Sequence, residues 1–434
     1  MIAVRVDRPI DQQPARITGS DPLSDDFYFP AEWTPHERTI MVFPYSQNWR
    51  GYRLEDARQE WAAVANTLSG YEPVVAVVHP DDIVLAKTLF SSQIETIILP
   101  VNDGWARDTG PMILVDDNLE RRVAGFRFNA WGKKTRPYRD DTLLKARLSA
   151  ILNMPMYVTG LTLEGGAVTM DGEGTVITTE QCLLNPNRNP HLTKTQVEGL
   201  MIRYLGARKV IWLECGIVPD PITDGHVDGL CAFVGPGTVL LHSTNDRNDP
   251  NYQICTQAKH RLEQTVDARG RSLQIVDLPL QPQISHINLY IANGVVIVPI
   301  AGDPRQDDKQ LGIIRNLFPG RKVAGIGAVA LYEAGGGVHC ITQQIPGGRK
   351  RMSECRFCGS RSYGSGCSHS PTRKHQHDDD SETCTWCGSR SYGSGCPHSP
   401  TRKHEHGHGD RCIWCGSRSH GSGCPHSPER VHEQ

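Results

Sequence analysis

"GGGVHC", residues 335–340, ends the last well-patterned stretch of this 434-residue chain, directly after the apolar run "AVALYEA" (328–334). Three successive glycines cost backbone entropy, so the chain needs a tight turn or a close backbone approach there. A histidine and a lone cysteine come next. A free cysteine is most often just a small buried residue, so the thiol alone says little. What precedes it says more.

Upstream lie five helix-period segments, each with strand-like runs around it. "LEDARQEWAAVANTLS" (54–69) lies between "TIMVF" and "PVVAVV", and "DTLLKARLSAIL" (141–152) follows "RVAGFRF". "TKTQVEGLMIRYLG" (193–206) precedes "RKVIWL", and "YQICTQAKHRLEQTVDARG" (252–270) follows "TVLLH". "DDKQLGIIRNLFPG" (307–320) sits between "GVVIVPI" and "RKVAGIG". Gly206, Gly270 and Gly320 are the expected helix stops. A β-rich unit with one helix, repeated about five times, thus describes residues 27–346 as an α/β array. Whether the array closes on itself is not visible in the pattern.

The chain has a net charge of −2, divided between an acidic body and a tail with a basic excess. An acidic body suits a small cationic ligand better than a nucleic acid. The opening "MIAVRVDRPIDQQPARITG" has no apolar core and no small-residue cleavage site, so it does not read as a secretory signal. No apolar run reaches the ~20 residues of a membrane helix. The expectation is a cytoplasmic protein without membrane association, whose 14 cysteines are thiols or metal ligands rather than a disulfide framework.

Composition changes near residue 349, where "GGRKRMSE" (347–354) reads as a polar linker. Three copies of one unit follow, at 355–377, 384–408 and 412–434, with spacer-like tracts "QHDDDSET" and "EHGHGD" between them. Each copy carries C-x2-C-x8-C-x-H, and a second histidine lies six residues beyond the first. Three thiolates and one imidazole make a tetrahedral Cys3His zinc site. The expected ligands are Cys355, Cys358, Cys367 and His369, then Cys384, Cys387, Cys396 and His398, then Cys412, Cys415, Cys424 and His426. Each unit has almost no apolar core beyond Phe357, Trp386 or Trp414, so a structural metal must supply its folding free energy. Such modules could bind a nucleic acid or a protein, or tether the body. One Arg and one aromatic per "SRSYGSG" could meet a phosphate and a base.

In the body, polar residues crowd into "NDGWARDTGP" (102–111), "LEGGAVTMDGEGTVITT" (163–179), "NPNRNP" (185–190), "TDGHVDG" (223–229) and "GGGVHC". Asp224, His226 and Asp228 alternate, which on an extended segment puts them on one face. A histidine between carboxylates suits a general base beside a cation site. It equally suits a metal site with Glu164 as the further ligand. There is no G-x-S-x-G elbow, P-loop or dinucleotide fingerprint.

The segments "FPYSQNWRGY", "WARDTGP", "FNAWG", "LEGGAVTMDGEGTVITTEQCLLNPNRNP", "DGHVDG" and "GGGVHCITQQIP" resemble the agmatine deiminases of the guanidine-modifying (pentein) superfamily, over residues 27–346 and in collinear order. Residues 1–26 would be an N-terminal extension. The resemblance implies a five-bladed pseudo-symmetric α/β propeller, followed here by three small zinc-nucleated modules. It implies a small cationic guanidino substrate and no cofactor for catalysis. Cys340 would be the nucleophile, His226 the general acid and base, and Glu164 the group orienting the imidazole. Asp108 and Asp228 would clamp the guanidinium, with Trp105 of the same motif as a further substrate contact. The implied reaction is hydrolysis of agmatine to N-carbamoylputrescine and ammonia through a thiouronium, in putrescine-forming polyamine chemistry. Another guanidino compound or peptidyl-arginine, or an idle scaffold with a working tail, are the alternatives. A homo-oligomer is left open. Three places depart from the family pattern: the short connection Leu278–His286 before "SHINLY", "GYRLEDA" after "NWR", and Asp224 and Gly229 flanking the histidine motif.

Overall fold

The computed structural model describes residues 13–45, 48–49 and 53–348, together with four two-residue strands farther along. The chain divides into two compact units, Met1–Arg349 and Lys350–Gln434.

One three-stranded motif builds the first unit. A short strand pairs antiparallel with a second, and a helical crossover leads to a third strand lying parallel to the second. Met112–Val115, Arg121–Arg127 and Met156–Thr162 follow this order, crossing over through the helix Arg139–Ile151. Val168–Met170, Thr175–Thr179 and Lys209–Leu213 repeat it through Lys194–Leu205. Cys231–Gly235, Thr238–Ser243 and Gln274–Pro279 repeat it through Tyr252–Glu263. Tyr290–Ala292, Val295–Ile300 and Lys322–Gly327 do so through Pro304–Leu317. In the fifth sheet, His36–Val42 runs parallel to Val74–Val78 across the helix Leu54–Leu68. Its antiparallel first strand is Thr342–Pro346, from the far end of the unit.

The local reasons are ordinary ones. Ala57, Trp61, Val64, Ala65 and Leu68 form the buried stripe of Leu54–Leu68. The parallel strand Val74–Val78 is buried throughout, as "VVAVV" suggests. Thr193 and Gln196 close a capping box at the start of Lys194–Leu205. Asp303 accepts from the Arg305 and Gln306 N–H groups ahead of Pro304–Leu317.

Two expected helix ends differ. The helix from Tyr252 stops at Glu263, not at residue 270. Beyond it, the Asp267 carboxylate accepts the Arg269 and Arg271 N–H groups, and Val266 bridges Ser272. Gly270 (φ +80°) therefore serves that turn and not the helix. Pro304–Leu317 likewise ends before Gly320. The early residues also join the body: Arg16–Ile17 pairs parallel with Met156–Tyr157, and Arg203 donates to Asp21.

In the second unit, Gly393–Ser394 pairs with Lys403–His404, and Gly421–Ser422 with Val431–His432. The twelve expected zinc ligands lie outside the described residues. Among the described residues, no helix is long and apolar enough to cross a membrane.

Gly206 closes Lys194–Leu205 in the left-handed region at φ +63°, and a Cβ there would stand 2.3 Å from the Phe27 carbonyl oxygen. Gly206→Ala is expected to destabilise the body by more than about 1 kcal/mol, measured by urea unfolding. An unchanged midpoint would contradict this account of the helix end.

Candidate active site

Five loops, one from each unit, converge. Each carries its polar side chain a few residues ahead of its sheet's first strand. Asp108 precedes Met112, Glu164 precedes Val168, and Asp228 precedes Cys231. Asn288 precedes Tyr290, and Cys340 precedes Thr342.

Cys340 is the base of the arrangement. Its Sγ lies 3.5 Å from Asn288 Oδ1 and 3.8 Å from Asp228 Oδ2. Asp228 Oδ2 also meets His339 Nδ1 at 2.9 Å, and His339 Nε2 meets Glu32 Oε2 at 2.9 Å. Burial opposes charge on Asp228, but His339 and His226 outweigh it and hold its carboxyl below the usual range. Burial, reinforced by Asp228 and Asp108, lifts the Cys340 thiol well above its ordinary value. The free site therefore holds a thiol, not a thiolate.

The second half centres on His226. Its Nδ1 is 3.9 Å from Asp108 Oδ2, and its Nε2 is 3.8 Å from Glu164 Oε2. Burial disfavours the imidazolium, yet Asp108, Cys182 and Glu164 together raise its pKa well above the ordinary value. Asp108 accepts from Trp131 Nε1 and from the Gly166 N–H, each at 2.9 Å. Burial, helped by Glu164 and Asp228, lifts its carboxyl despite His226. Glu164 accepts from Arg188 Nε at 2.6 Å.

The local sequence explains these placements. A Cβ on Gly166 would lie 2.6 Å from His226 Nδ1 and 2.8 Å from Asp228 Oδ2, so only glycine fits there. A Cβ on Gly336 would strike Trp105 at 2.3 Å. Trp131 sits in a left-handed turn of positive φ from Ala130 to Lys133, a strained shape that aims its indole at Asp108.

A cavity of about 680 Å3 opens above Cys340, His226, Asp228 and Asn288, with Ile222, Tyr332 and Glu333 on its walls. Among the described residues, its lining has acidic side chains and no Lys or Arg. Asp108, Glu164 and Trp105 are buried behind this surface. Trp105 stacks on Trp49 with ring centroids 5.2 Å apart, away from the cavity wall.

One expectation fails locally. Asp224 does not share a face with His226 and Asp228. Positive φ at Asp224 and Gly225 breaks the extended backbone, and Asp224 turns to Lys134 and Arg188 instead. Nor do Glu164, His226 and Asp228 group as a metal site. The third ligand-type side chain beside Glu164 and His226 is Cys182. Reading by motif passed over Asn288, His339, Glu32, Arg188 and Cys182. His339 stood in plain view in "GGGVHC", whereas Glu32 lies outside every motif.

Residues 28–346 match the model of the Porphyromonas-type peptidyl-arginine deiminase family. The chain belongs to this family. Among curated relatives, the agmatine deiminase of Stutzerimonas stutzeri is 38% identical over 361 residues, covering 75% of this chain and 97% of that protein. The structure of the agmatine deiminase of Enterococcus faecalis superposes with a TM-score of 0.74 at 34% identity, over 77% of this chain and all of that one. A cysteine-to-serine agmatine deiminase of C. jejuni with substrate bound gives 0.68 at 26% identity, over 74% and 97% of the two chains. The family match ends before the cysteine-rich repeats.

Removing the negative neighbour of Cys340 should separate reactivity from catalysis. Asp228→Asn is expected to speed iodoacetamide alkylation of Cys340 at pH 8 by about tenfold, because a like charge that raises the thiol pKa is lost. Turnover should fall at least about 100-fold if Asp228 holds the substrate as the family resemblance implies. Slower alkylation would overturn this electrostatic account.

Proposed function

We propose that this chain hydrolyses agmatine to N-carbamoylputrescine and ammonia. The observation that carries this reading is one cluster that sets Cys340, His226 and Asp228 on a pocket wall with Glu164 and Asp108 directly behind them, in a chain spanning nearly the full length of agmatine deiminases. A guanidinium is planar, permanently charged and a forked donor, which suits two carboxylates. Asp108, Glu164 and Asp228 lie close together, and burial lifts the Asp108 carboxyl above its ordinary range. A bound guanidinium brings a further cation to them. It also favours the Cys340 thiolate, whose proton leaves for solvent.

In the first half-reaction, the thiolate attacks the guanidinium carbon and gives a neutral tetrahedral adduct. The His226 imidazolium protonates one amino group, which leaves as ammonia. A cationic S-alkylthiouronium remains, with His226 neutral. In the second half, His226 takes a proton from water as the oxygen attacks the same carbon. The C–S bond then breaks, the hydroxyl proton is lost, and the carbamoyl product departs. Glu164 holds the imidazole in place, supported by Arg188. No cofactor enters these steps. In this reading Trp105 supports the glycine turn that carries Cys340.

A larger ω-guanidino compound is a second reading, favoured by the cavity volume of about 680 Å3. The acidic lining disfavours free arginine, whose carboxylate would face Glu333 without a cation.

In the same reading, residues 27–346 are the deiminase domain and the five units close as a five-bladed pseudo-symmetric α/β propeller. The support is the first sheet, which is completed by Thr342–Pro346 from the far end. The three repeats each hold one structural zinc ion through the twelve ligands named above. They act as a tethering or binding tail for a nucleic acid or a protein on a cytoplasmic enzyme.

Two measurements check the proposal. Cys340→Ser should leave the fold intact and abolish ammonia release from agmatine, and His226→Ala should lose ammonia release without accumulating the thiouronium in intact-mass spectra. Normal turnover by Cys340→Ser sinks the mechanism, and turnover of peptidyl-arginine alone sinks the substrate. Elemental analysis should find about three zinc ions per chain. Mild chelation should then expose the chain to protease beyond residue 349 while activity survives, and activity that is lost on chelation and restored by zinc would contradict a cofactor-free site.

A further inference from the structure

Glu164 and His226 each leave one buried polar atom unpartnered, Oε2 and Nε2, and these atoms are 3.8 Å apart. Cys182, fully buried on the short helix Glu180–Leu183, joins them, with one ligand atom from each of the three side chains within 4.8 Å of the others. Around a tetrahedral zinc ion with ligand bonds of about 2.0–2.3 Å, donors stand roughly 3.3–3.7 Å apart. The three need only a small contraction.

The outer partners suit a metal as well. A ligating imidazole normally gives its other N–H to a carboxylate, and a ligating carboxylate is itself hydrogen-bonded. Here His226 Nδ1 faces Asp108 Oδ2 at 3.9 Å, and Glu164 Oε1 accepts from Arg188 Nε at 2.6 Å. Nitrogen, thiolate sulfur and carboxylate oxygen together select zinc among common divalent ions. Of the three side chains, His226 borders the cavity.

We propose that Glu164, Cys182 and His226 form an inhibitory zinc site behind the reaction pocket. On binding, Cys182 gives its thiol proton to solvent, and His226 loses its Nε2 proton and ligates as a neutral imidazole. A water molecule completes the coordination. With the ion on Nε2 and the Nδ1 proton facing Asp108, His226 can neither become an imidazolium nor take up a proton, so the pocket is switched off while Cys340 stays free. Inhibition rests on the deiminase reading; the metal site does not.

The test uses the full chain and zinc chloride. Crystals soaked in zinc are measured on both sides of the zinc absorption edge, and ammonia release from agmatine is followed at buffered free zinc. The expected results are an anomalous peak among Glu164, Cys182 and His226, and zinc inhibition. Cys182→Ser and Cys182→Ala should turn agmatine over within a few-fold of the parent and need at least about tenfold more zinc for half-inhibition. A peak on Cys340, no peak among the three side chains, or unchanged half-inhibition in both variants overturns the site. If the chain proves inactive on agmatine, the substrate reading fails and diffraction alone decides the metal site.

Discussion

The site hangs on one buried guanidinium, that of Arg107. Its Nη1 donates to Gln344 Oε1 at 2.8 Å, its Nη2 to Glu32 Oε2 at 3.2 Å, and its Nε to the His339 carbonyl at 3.3 Å. Its backbone N–H donates to the Cys340 carbonyl at 3.0 Å. One residue thereby fastens the loop that bears Asp108 to the strand that follows Cys340, and to Glu32 from the stretch before the first sheet. A buried cation is tolerable only when its donors are satisfied, and here every arm of the fork has an acceptor. Glu32 in turn sits between Arg107 and His339. Burial works against its charge, and those two cations prevail and push it down to about 2.

Charge balance follows from that anchor. His339, held between Glu32 and Asp228, is raised above its ordinary pKa although burial and Arg107 oppose it. It keeps Asp228 ionised, and ionised Asp228 keeps Cys340 protonated. On the other side, Arg188 and His226 hold Glu164 ionised against burial. Four carboxyl groups, Glu32, Asp108, Glu164 and Asp228, are thus packed with four basic side chains, Arg107, Arg188, His226 and His339, in one buried network.

Repetition explains how five distant segments meet. Each unit places a loop at the same point, just ahead of its first strand, so five equivalent loops supply Asp108, Glu164, Asp228, Asn288 and Cys340. Hydrogen bonds and ion pairs tie neighbouring units, such as Gly166 to Asp108 and Arg188 to Asp224, and the join adds a strand pairing. There the strand Thr342–Pro346 must pair with His36–Val42, in register from Thr342 opposite Met41 to Pro346 opposite His36. Cys340 lies two residues from that strand, so the pairing that completes this sheet also fixes the position of Cys340.

The sequence by itself determined the helices, the strands and the motif residues. Their signals are local: a 3.6-residue stripe at Trp61, Val64 and Leu68, the all-apolar "VVAVV", the capping pair Thr193 and Gln196, and glycines at 166 and 336 where no Cβ fits. It did not determine the end of the helix at Glu263, because the Asp267 turn that competes with it is also held by Thr175, which accepts from the Ala268 N–H, and by Glu173, which pairs with Arg271, both far away in the chain. Tertiary structure alone decided which polar residues face one another. Asp224 looked equivalent to Asp228 by alternation, but left-handed backbone at Asp224 and Gly225 sends it to Arg188 and Lys134. Glu32, Asn288, Arg188 and Cys182 carry no local mark of function, since each acquires its role from a neighbour far away in the chain. Burial and charge at a site are sums over such neighbours, and they exist only once the five sheets have packed.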